Sequence, residues 1–442
     1  MENHREMKVE IVRRENIKPS SPTPPHLKSF KLSLLDQRAP PVYTTLVLFY
    51  KTTNLDEDDD IITSCNYLKK SLSEALTTYA PLAGKIDENN PNFVECTDDR
   101  AVFVEAKFNA ILSTFLEENP KEELLELLLP ANTRSPEAAT SPLLLVQATF
   151  FNCGGLAVGV SMSHKLADAA TLCVFLKSWA RRGQRFLTIP DREFDPSPED
   201  LWFPLKRERN IEPITVMKAV NKRYVFDKTK IDVLKAKASS EEVKNPTRVE
   251  VVTALVWKCA ANASRLRLLN SNHNSNIDDD SRYSFLSQLV DVRNRVKPPL
   301  PKNTSGNLVG SYVVHVDFNN EQQELELKNL VAKLRKAIGD YSSCSSEKQG
   351  RWSREVEELI EGADMNKIFL CNSWCNFGFY EVNFGWGKPI WAWRPSSSIE
   401  NVLKLMDTRN GGVEVSLTLS NENMALFERD PEILAFSYPI MI

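Results

Sequence analysis

Within residues 143–180 the hydrophobic pattern changes from that of strands to that of a helix. This change constrains the fold more than any other feature of the chain. Two apolar runs with the composition of buried strands, at residues 143–151 and 156–162, are separated by Asn152-Cys153-Gly154-Gly155, whose paired glycines favour a hairpin turn. Apolar side chains then recur at helical spacing, at Leu172, Phe175, Leu176 and Trp179. The sequence therefore predicts a β-hairpin followed directly by an amphipathic helix, an arrangement typical of α/β proteins.

Strand and helix patterns alternate along the rest of the chain as well. Apolar or β-prone runs predict strands at residues 46–50, 224–226, 312–318, 402–406 and 413–419. Helical spacing predicts one helix from Leu68 to Tyr79, which Pro81 ends, and a second helix that opens with the capping box of Thr247 and Glu250. Asn410-Gly411 predicts a hairpin turn between the last two strands.

Two segments show neither pattern. Residues 188–213 contain five prolines among many charged residues, which is the composition of a linker. Residues 270–281 are polar and are predicted to form a loop. We therefore predict a first α/β domain at residues 1–190, a crossover linker at 191–213 and a second α/β domain at 214–442.

Composition argues against several classes of function. The 55 basic and 59 acidic residues give a net charge of −4, whereas a nucleic-acid-binding protein needs a basic surface. No apolar run has the length of a membrane span, and the N-terminus lacks the apolar core of a signal peptide, so we expect a cytoplasmic protein with no membrane partner. The eight cysteines form no C-x-x-C pair, so we expect neither a disulfide framework nor a metal site.

His164 lies at the predicted junction between strand and helix, with Asp168 four residues later. Of the five histidines, it alone is followed by an acid at that spacing. A neutral imidazole can take the proton of an alcohol that attacks a carbonyl group, so the pattern indicates a general base. Asp168 could orient this imidazole, or it could cap the helix and pair elsewhere. On this pattern alone, His164 could equally be a structural histidine at a helix N-terminus.

Other catalytic and nucleotide-binding motifs are incomplete. Ser163 stands where the nucleophile elbow around Ser161 requires a second glycine. Ile390 occupies the place of the third glycine in a dinucleotide-binding loop that would begin at Gly385. Pro389 and Val382 replace required residues of a phosphate-binding loop, and no H-E-x-x-H motif occurs.

A second short motif, Asn383-Phe384-Gly385-Trp386-Gly387-Lys388-Pro389, stands near the end of the chain. Glycines on both sides of a tryptophan allow a sharp turn or a close approach of the backbone to the indole. Taken alone, this motif indicates a packing device rather than a catalytic group.

The two motifs together, about 215 residues apart, resemble the BAHD acyltransferase family of plants, which carries H-x-x-x-D in mid-chain and D-F-G-W-G toward the end. Further segments similar to the family are Arg293 and residues 17–24, 34–37, 79–85, 298–301 and 306–308. The chain is most similar to the branch that contains vinorine synthase and salutaridinol acetyltransferase, which acetylate alkaloid alcohols. Residues 163–171, 373–375 and 378–380 carry this likeness.

The resemblance implies a fold like that of chloramphenicol acetyltransferase. Two α/β domains with mixed sheets would meet along an active-site channel with His164 at its middle, and part of residues 373–400 would pack on the first domain. It also implies an acyl-CoA-dependent O-acyltransferase, foremost one that transfers acetyl from acetyl-CoA to an alkaloid or terpenoid alcohol. Such an enzyme would be a monomer without a permanently bound cofactor.

The resemblance also implies roles for individual residues. His164 would be the general base, and Asp168 would point away from it and pair with Arg293, thereby holding the loop that presents His164. Trp374 would donate its indole N–H to the developing oxyanion, and Asn372, where many members have threonine, would assist it. The residues with supporting structural roles would be Arg293, Asn307, Asn383, Gly385, Trp386 and Gly387.

One departure from the family pattern leaves alternatives open. Asn383 replaces the aspartate of D-F-G-W-G, which keeps the shape but loses the charge, so we expect an effect on stability more than on chemistry. A binding-only member is therefore conceivable, although the intact His164, Asp168, Arg293 and Trp374 argue against it. The use of an acyl donor larger than acetyl-CoA is a further alternative. A carrier-dependent relative is disfavoured, because Ser163 replaces the second histidine of condensation domains and no lipoyl domain is present.

Overall fold

The computed structural model describes residues 7–51, 58–181, 219–271, 282–301, 304–320, 324–345, 348–350, 352, 356 and 367–440. The linker predicted at residues 191–213 lies outside the described residues, so the domain boundaries stay predictions. Most of the polar segment at 270–281 also lies outside them. For Asn270 and Ser271 the prediction of a loop is wrong, because both belong to a helix that extends through residue 271. Extending a formed helix is easier than starting one, so a polar last turn can continue it.

The strands are β1 (Val9–Ile17), β2 (Ser29–Lys31), β3 (Tyr43–Tyr50), β4 (Lys85–Ile86), β5 (Phe93–Glu95), β6 (Ala101–Phe108), β7 (Leu144–Phe151), β8 (Leu156–Ser163), β9 (Ala219–Phe226), β10 (Tyr283–Asp291), β11 (Val309–Asp317), β12 (Ile368–Ser373), β13 (Trp391–Trp393), β14 (Val402–Asp407), β15 (Val413–Ser420) and β16 (Tyr438–Ile440). The α-helices are α1 (Leu34–Arg38), α2 (Asp58–Thr78), α3 (Leu112–Glu117), α4 (Glu122–Glu126), α5 (Ala169–Ala180), α6 (Lys228–Ala238), α7 (Arg248–Ser271), α8 (Leu327–Ser343), α9 (Asn421–Phe427) and α10 (Pro431–Phe436). None of the helices within the described ranges is long and apolar enough to cross a membrane.

Two mixed sheets dominate the fold. The first has the order β1-β6-β7-β8-β3-β13 and the second the order β11-β10-β12-β14-β15-β9-β16, while β2, β5 and β4 form a small third sheet. The pairs β6–β7, β10–β12 and β12–β14 are parallel, and the other pairs are antiparallel. The predicted α/β class with two mixed sheets is confirmed.

The hairpin predicted around Gly154-Gly155 is present as β7 and β8, which pair antiparallel from Leu144 opposite Met162 to Phe150 opposite Leu156. Every residue of both strands is buried. Apolar clusters cover the two faces: one includes residues of α2 and α5, and the other includes residues of α3 and α4. Burial on both faces explains why these strands have continuous apolar runs instead of alternation.

Gly159 allows β8 to lie against the segment after α4. A Cβ built on Gly159 would stand 2.0 Å from the carbonyl oxygen of Leu128, which is a backbone atom that cannot rotate away. We expect Gly159→Ala to destabilise the protein by about 1–3 kcal/mol through overpacking, seen as a lower melting temperature. Gly339→Ala is the control, since its Cβ would meet nothing within 4 Å and alanine favours a helix. A melting temperature for Gly159→Ala equal to that of the wild type would contradict the expectation.

Helix α5 differs in one respect from its prediction. It was expected to be amphipathic, but nearly all of its residues are buried, from Ala169 to Ala180. The predicted apolar stripe packs into the core beside β8. The opposite face includes Ala170, Cys173 and Lys177 and lines a cavity shared with the second half of the chain. The helix is therefore covered on both faces because it lies between the two halves.

A segment of the second half crosses to the first sheet. Strand β13 pairs antiparallel with β3, so that Trp391 lies opposite Phe49 and Trp393 opposite Val47. Phe379 and Phe384 belong to the same apolar cluster as α2 and α5. This crossing places the residues around Trp374 between the two sheets.

Candidate active site

His164 follows directly on the last residue of β8 and is held through its backbone. Its N–H donates to the carbonyl oxygen of Val42 at 2.8 Å, and its carbonyl oxygen accepts from Asn307 Nδ2 at 2.6 Å. The side chain is half-buried. Its Nδ1 atom is buried and has no hydrogen-bond partner among the residues that the structure describes. The backbone is thus fixed, while no group of the described residues engages this ring nitrogen.

Asp168 does not orient His164; it caps α5 and pairs with Arg293. One carboxylate oxygen of Asp168 accepts from the N–H of Thr171 at 2.8 Å. Arg293 donates to both carboxylate oxygens, at 2.8 and 3.0 Å, which is the bidentate geometry of a strong charge-assisted pair. The pairing that the resemblance implied is therefore present. It leaves Asp168 directed away from the imidazole.

Arg293 connects this carboxylate to the second half of the chain. It is 1% exposed and donates further hydrogen bonds to the carbonyl oxygens of Thr304 and Gly306 and to Asp291 Oδ1. Burial alone would lower the pKa of Arg293, but the charges and hydrogen bonds of Asp168 and Asp291 outweigh burial and raise it. The arginine therefore stays charged and fixes the start of α5 to the end of β10 and to the segment between β10 and β11.

Sequence reasoning missed the role of Asp36, which supports the same loop from the other side. Asp36 Oδ1 accepts from the N–H of Asn307 and from its Nδ2, each at 2.8 Å, and the same Nδ2 also binds the carbonyl oxygen of His164. Burial raises the pKa of the Asp36 carboxyl, although hydrogen bonds from Ser33 and Asn307 oppose the rise. The sequence feature that could have drawn attention to Asp36 is the capping box of Ser33 and Asp36, which is present in the structure.

Trp374 follows directly on β12, whose last two residues include Asn372. Its indole is 8% exposed and packs against Phe379, with ring centroids 5.5 Å apart. The backbone N–H of Trp374 donates to the carbonyl oxygen of Leu405 on β14 at 2.8 Å. Arg394 lies over the indole, with its guanidinium carbon 4.3 Å from the ring centroid. The indole is thus held on both sides, whereas the side chain of Asn372 is only half-buried.

The loop that begins at Asn383 is a packing device. Asn383 Oδ1 accepts from the N–H groups of Gly385 and Gly387 at 2.9 and 3.0 Å, and both glycines have φ above +100°. Trp386 makes edge contacts with Tyr50 and Tyr67 of the first half. One amide oxygen therefore makes the two contacts that close the turn.

Substitutions at Asn383 test whether the amide only closes the turn. We expect Asn383→Ala to destabilise the protein by about 1 kcal/mol, because two hydrogen bonds that close an exposed turn are lost. Asn383→Asp retains an acceptor oxygen and should keep the melting temperature within a few degrees of the wild type, with turnover within about twofold. A large gain in turnover for Asn383→Asp would show that the asparagine limits activity.

A cavity of about 770 Å³ lies between the halves, lined by α5, the N-terminus of α7, β10, α8 and residues 373–377. Its lining includes the cations Lys177, Arg248, Arg295 and Arg335. His164 is not among the lining residues, but Ser373, the neighbour of Trp374, is. The channel with His164 at its middle therefore stays a prediction. The cavity, which is lined by four cations and two acids, reaches the residue beside Trp374.

Two thiols line this cavity, those of Cys173 and Cys375. Burial raises the pKa of both to about 12. Since the thiolate is the reactive form of cysteine, neither is suited to form an acyl-enzyme at neutral pH.

Cys259, Asp430 and Glu432 bring together three possible metal-ligand atoms within 4.8 Å. The structure gives the two acids other partners, because Asp430 caps α10 and Glu432 pairs with Lys258. Protein contacts thus account for this cluster without an ion.

Comparisons with known proteins extend the likeness over nearly the whole chain. The transferase family matches residues 7–434. Stemmadenine O-acetyltransferase of Catharanthus roseus is 33% identical, with 96% of each chain covered. Limonoid 7-O-acetyltransferase of Citrus sinensis is 34% identical, with 98% of each chain covered. The crystal structure of vinorine synthase, an enzyme of Rauvolfia serpentina, has a TM-score of 0.79 at 32% identity and covers 97% of this chain and 98% of its own.

Proposed function

The chain belongs to the BAHD family of acyl-CoA-dependent acyltransferases, and on that premise we propose that it acetylates a hydroxyl group of an alkaloid or terpenoid alcohol with acetyl-CoA. The main support from the site is His164, whose backbone is fixed from both halves while Nδ1 has no partner among the described residues. An imidazole held in this way can exchange a proton with substrates.

In the proposed reaction His164 takes the proton of the acceptor hydroxyl as its oxygen bonds to the thioester carbonyl carbon. The carbonyl π electrons move to oxygen, and Trp374 donates its indole N–H to the resulting oxyanion. When the tetrahedral intermediate collapses, the C–S bond breaks. The imidazolium then gives its proton to the departing CoA thiolate. Asp168 and Arg293 are positioning residues in this scheme, because they contact each other and not the imidazole.

The cavity between the halves supports acyl-CoA as the donor. CoA carries phosphate groups, and four cations, Lys177, Arg248, Arg295 and Arg335, outnumber the two acids in the lining of the cavity. The acetyl group and the acceptor class come from the relatives, whose names specify acetyl transfer to stemmadenine and to the 7-position of a limonoid.

The first test measures free thiol released from acetyl-CoA, with mass detection of products. Acceptors are stemmadenine, minovincinine and a limonoid with a free 7-hydroxyl group. We expect acceptor-dependent thiol release and an acetylated product from at least one of them. Benzoyl-CoA and hexanoyl-CoA in place of acetyl-CoA test the larger donors. Folded protein that turns over none of these pairs would contradict the proposal.

Direct transfer predicts that no acetyl group is stored on the protein. After incubation with acetyl-CoA alone, the intact mass of the protein should be unchanged, because the thiols of Cys173 and Cys375 are protonated at neutral pH. Chemically acetylated protein is the positive control for detection. An acetylated species that disappears when acceptor is added would replace direct transfer with a two-step mechanism.

A further inference from the structure

We infer that Arg394 is a positioning residue for the acyl transfer and acts through the indole of Trp374; this rests on the oxyanion role proposed for Trp374. The guanidinium of Arg394 lies over the indole at 4.3 Å. Its Nη2 donates to the carbonyl oxygens of Asn372 and Leu405, at 3.0 and 3.4 Å. The carbonyl oxygen of Leu405 also accepts from the backbone N–H of Trp374. The side chain of Arg394 therefore contacts the indole face, strand β12, which leads to Trp374, and the neighbouring strand β14.

The environment of Arg394 is unusual for a charge required only by the fold. The residue is 8% exposed, and no carboxylate of the described residues lies within 4 Å of it. Burial and the charge of Arg394 lower the pKa of its neighbour Lys404 to about 7, so this lysine offers repulsion and no compensation. The charge of Glu414 acts on Arg394 only from beyond ion-pair distance, and a buried cation without a close counterion is costly to the fold. Burial lowers the pKa of Arg394 to about 9, which leaves it charged at neutral pH.

A cation over an indole face explains how such a charge can serve the reaction. The contact restricts the ring, and the cation withdraws electron density from it, so that the N–H becomes a better hydrogen-bond donor. This benefit grows as negative charge develops on the acceptor oxygen. An interaction that strengthens in the transition state raises kcat and has little effect on KM. Loss of Arg394 should therefore lower kcat.

A double-mutant cycle on kcat tests this coupling. Trp374→Phe removes the indole N–H but keeps an aromatic ring under the guanidinium. Arg394→Gln removes the charge but keeps an amide donor. With acetyl-CoA and the panel alcohol that gives the highest turnover, we expect Arg394→Gln to lower kcat about 10- to 30-fold. The KM for acetyl-CoA should change less than about twofold. In the Trp374→Phe background, the same substitution should change kcat by less than about twofold.

The matched control is Arg223→Gln. Arg223 is also buried and lies over an indole, that of Trp391, at 4.8 Å, but it has Glu414 as a partner at 3.9 Å. This variant should have a lower melting temperature and a kcat within about twofold of the wild type.

Each outcome of the double-mutant cycle either supports or overturns the role of Arg394. An unchanged kcat in Arg394→Gln, or an equal loss with and without the Trp374 indole, would overturn the inference. If Arg394→Gln does not fold, Arg394→Lys carries the same cycle, with a smaller loss because the charge is retained. A wild type without turnover would contradict the proposed function itself, and this result is distinct from an active wild type that tolerates Arg394→Gln.

Discussion

Replacing His164 with alanine is expected to reduce acyl transfer by about 10²–10⁴-fold, the usual contribution of a general base. Its backbone contacts with Val42 and Asn307 do not require the side chain. Nδ1 makes no hydrogen bond to a described residue that the substitution would break. The melting temperature should therefore stay within a few degrees of the wild type. The measurement is kcat with acetyl-CoA and an accepted alcohol, beside a thermal unfolding curve.

His315→Ala is the control for His164→Ala. His315 is an exposed residue of β11, and the variant should keep turnover within about twofold. Full activity in a folded His164→Ala protein would eliminate His164 as the base. Loss of activity together with a large drop in melting temperature would instead make His164 a structural residue.

Replacing Asp168 with alanine is expected to destabilise the protein by about 3–5 kcal/mol, the usual cost of removing one partner from a buried ion pair. Arg293 would lose both hydrogen bonds to the carboxylate and keep its charge in the interior, with Asp291 as its remaining ionic partner. The N–H of Thr171 at the start of α5 would also lose its cap. Activity should fall as well, because the loop that presents His164 loses its connection to the second half.

The surface pair of Glu326 and Lys328 is the matched control for Asp168→Ala. Both side chains are about half exposed, so Glu326→Ala should change the stability by no more than about 1 kcal/mol. Asp168→Asn keeps a hydrogen-bonding side chain without the charge and should lie between the alanine variant and the wild type. An unchanged melting temperature for Asp168→Ala would mean that the ion pair contributes nothing to the fold.

The parts of the fold that sequence predicts best are those encoded in contiguous residues. The hairpin of β7 and β8, the helix after it and the hairpin of β14 and β15 each have their pattern and their turn within about 40 residues. Strand β13 has only three residues and pairs with β3, more than 300 positions earlier. So short a run carries no usable period, and only the resemblance suggested that this segment crosses to the first half.

Prediction of the site from sequence has the same limit. No local pattern could pair Asp168 with Arg293, which lies 125 positions away, and the resemblance supplied that pair. Arg394 was missed because it stands next to Pro395 and a run of serines, a composition that indicates a solvated loop. Its burial depends on the packing of two sheets. The catalytic roles of His164, Trp374 and Asn372 stay predictions until the variants are measured.

The pairing of β13 with β3 makes the first part of the chain depend on a segment that is synthesised much later. Without β13, strand β3 would become an exposed sheet edge, and Phe49 would lose the ring of Trp391 that stacks on it at 5.1 Å. A strand from the second half of the chain thus completes a sheet of the first half, and the first sheet keeps its full width only while that strand stays paired. An isolated fragment of residues 1–190 would, for the same reason, expose that edge to aggregation.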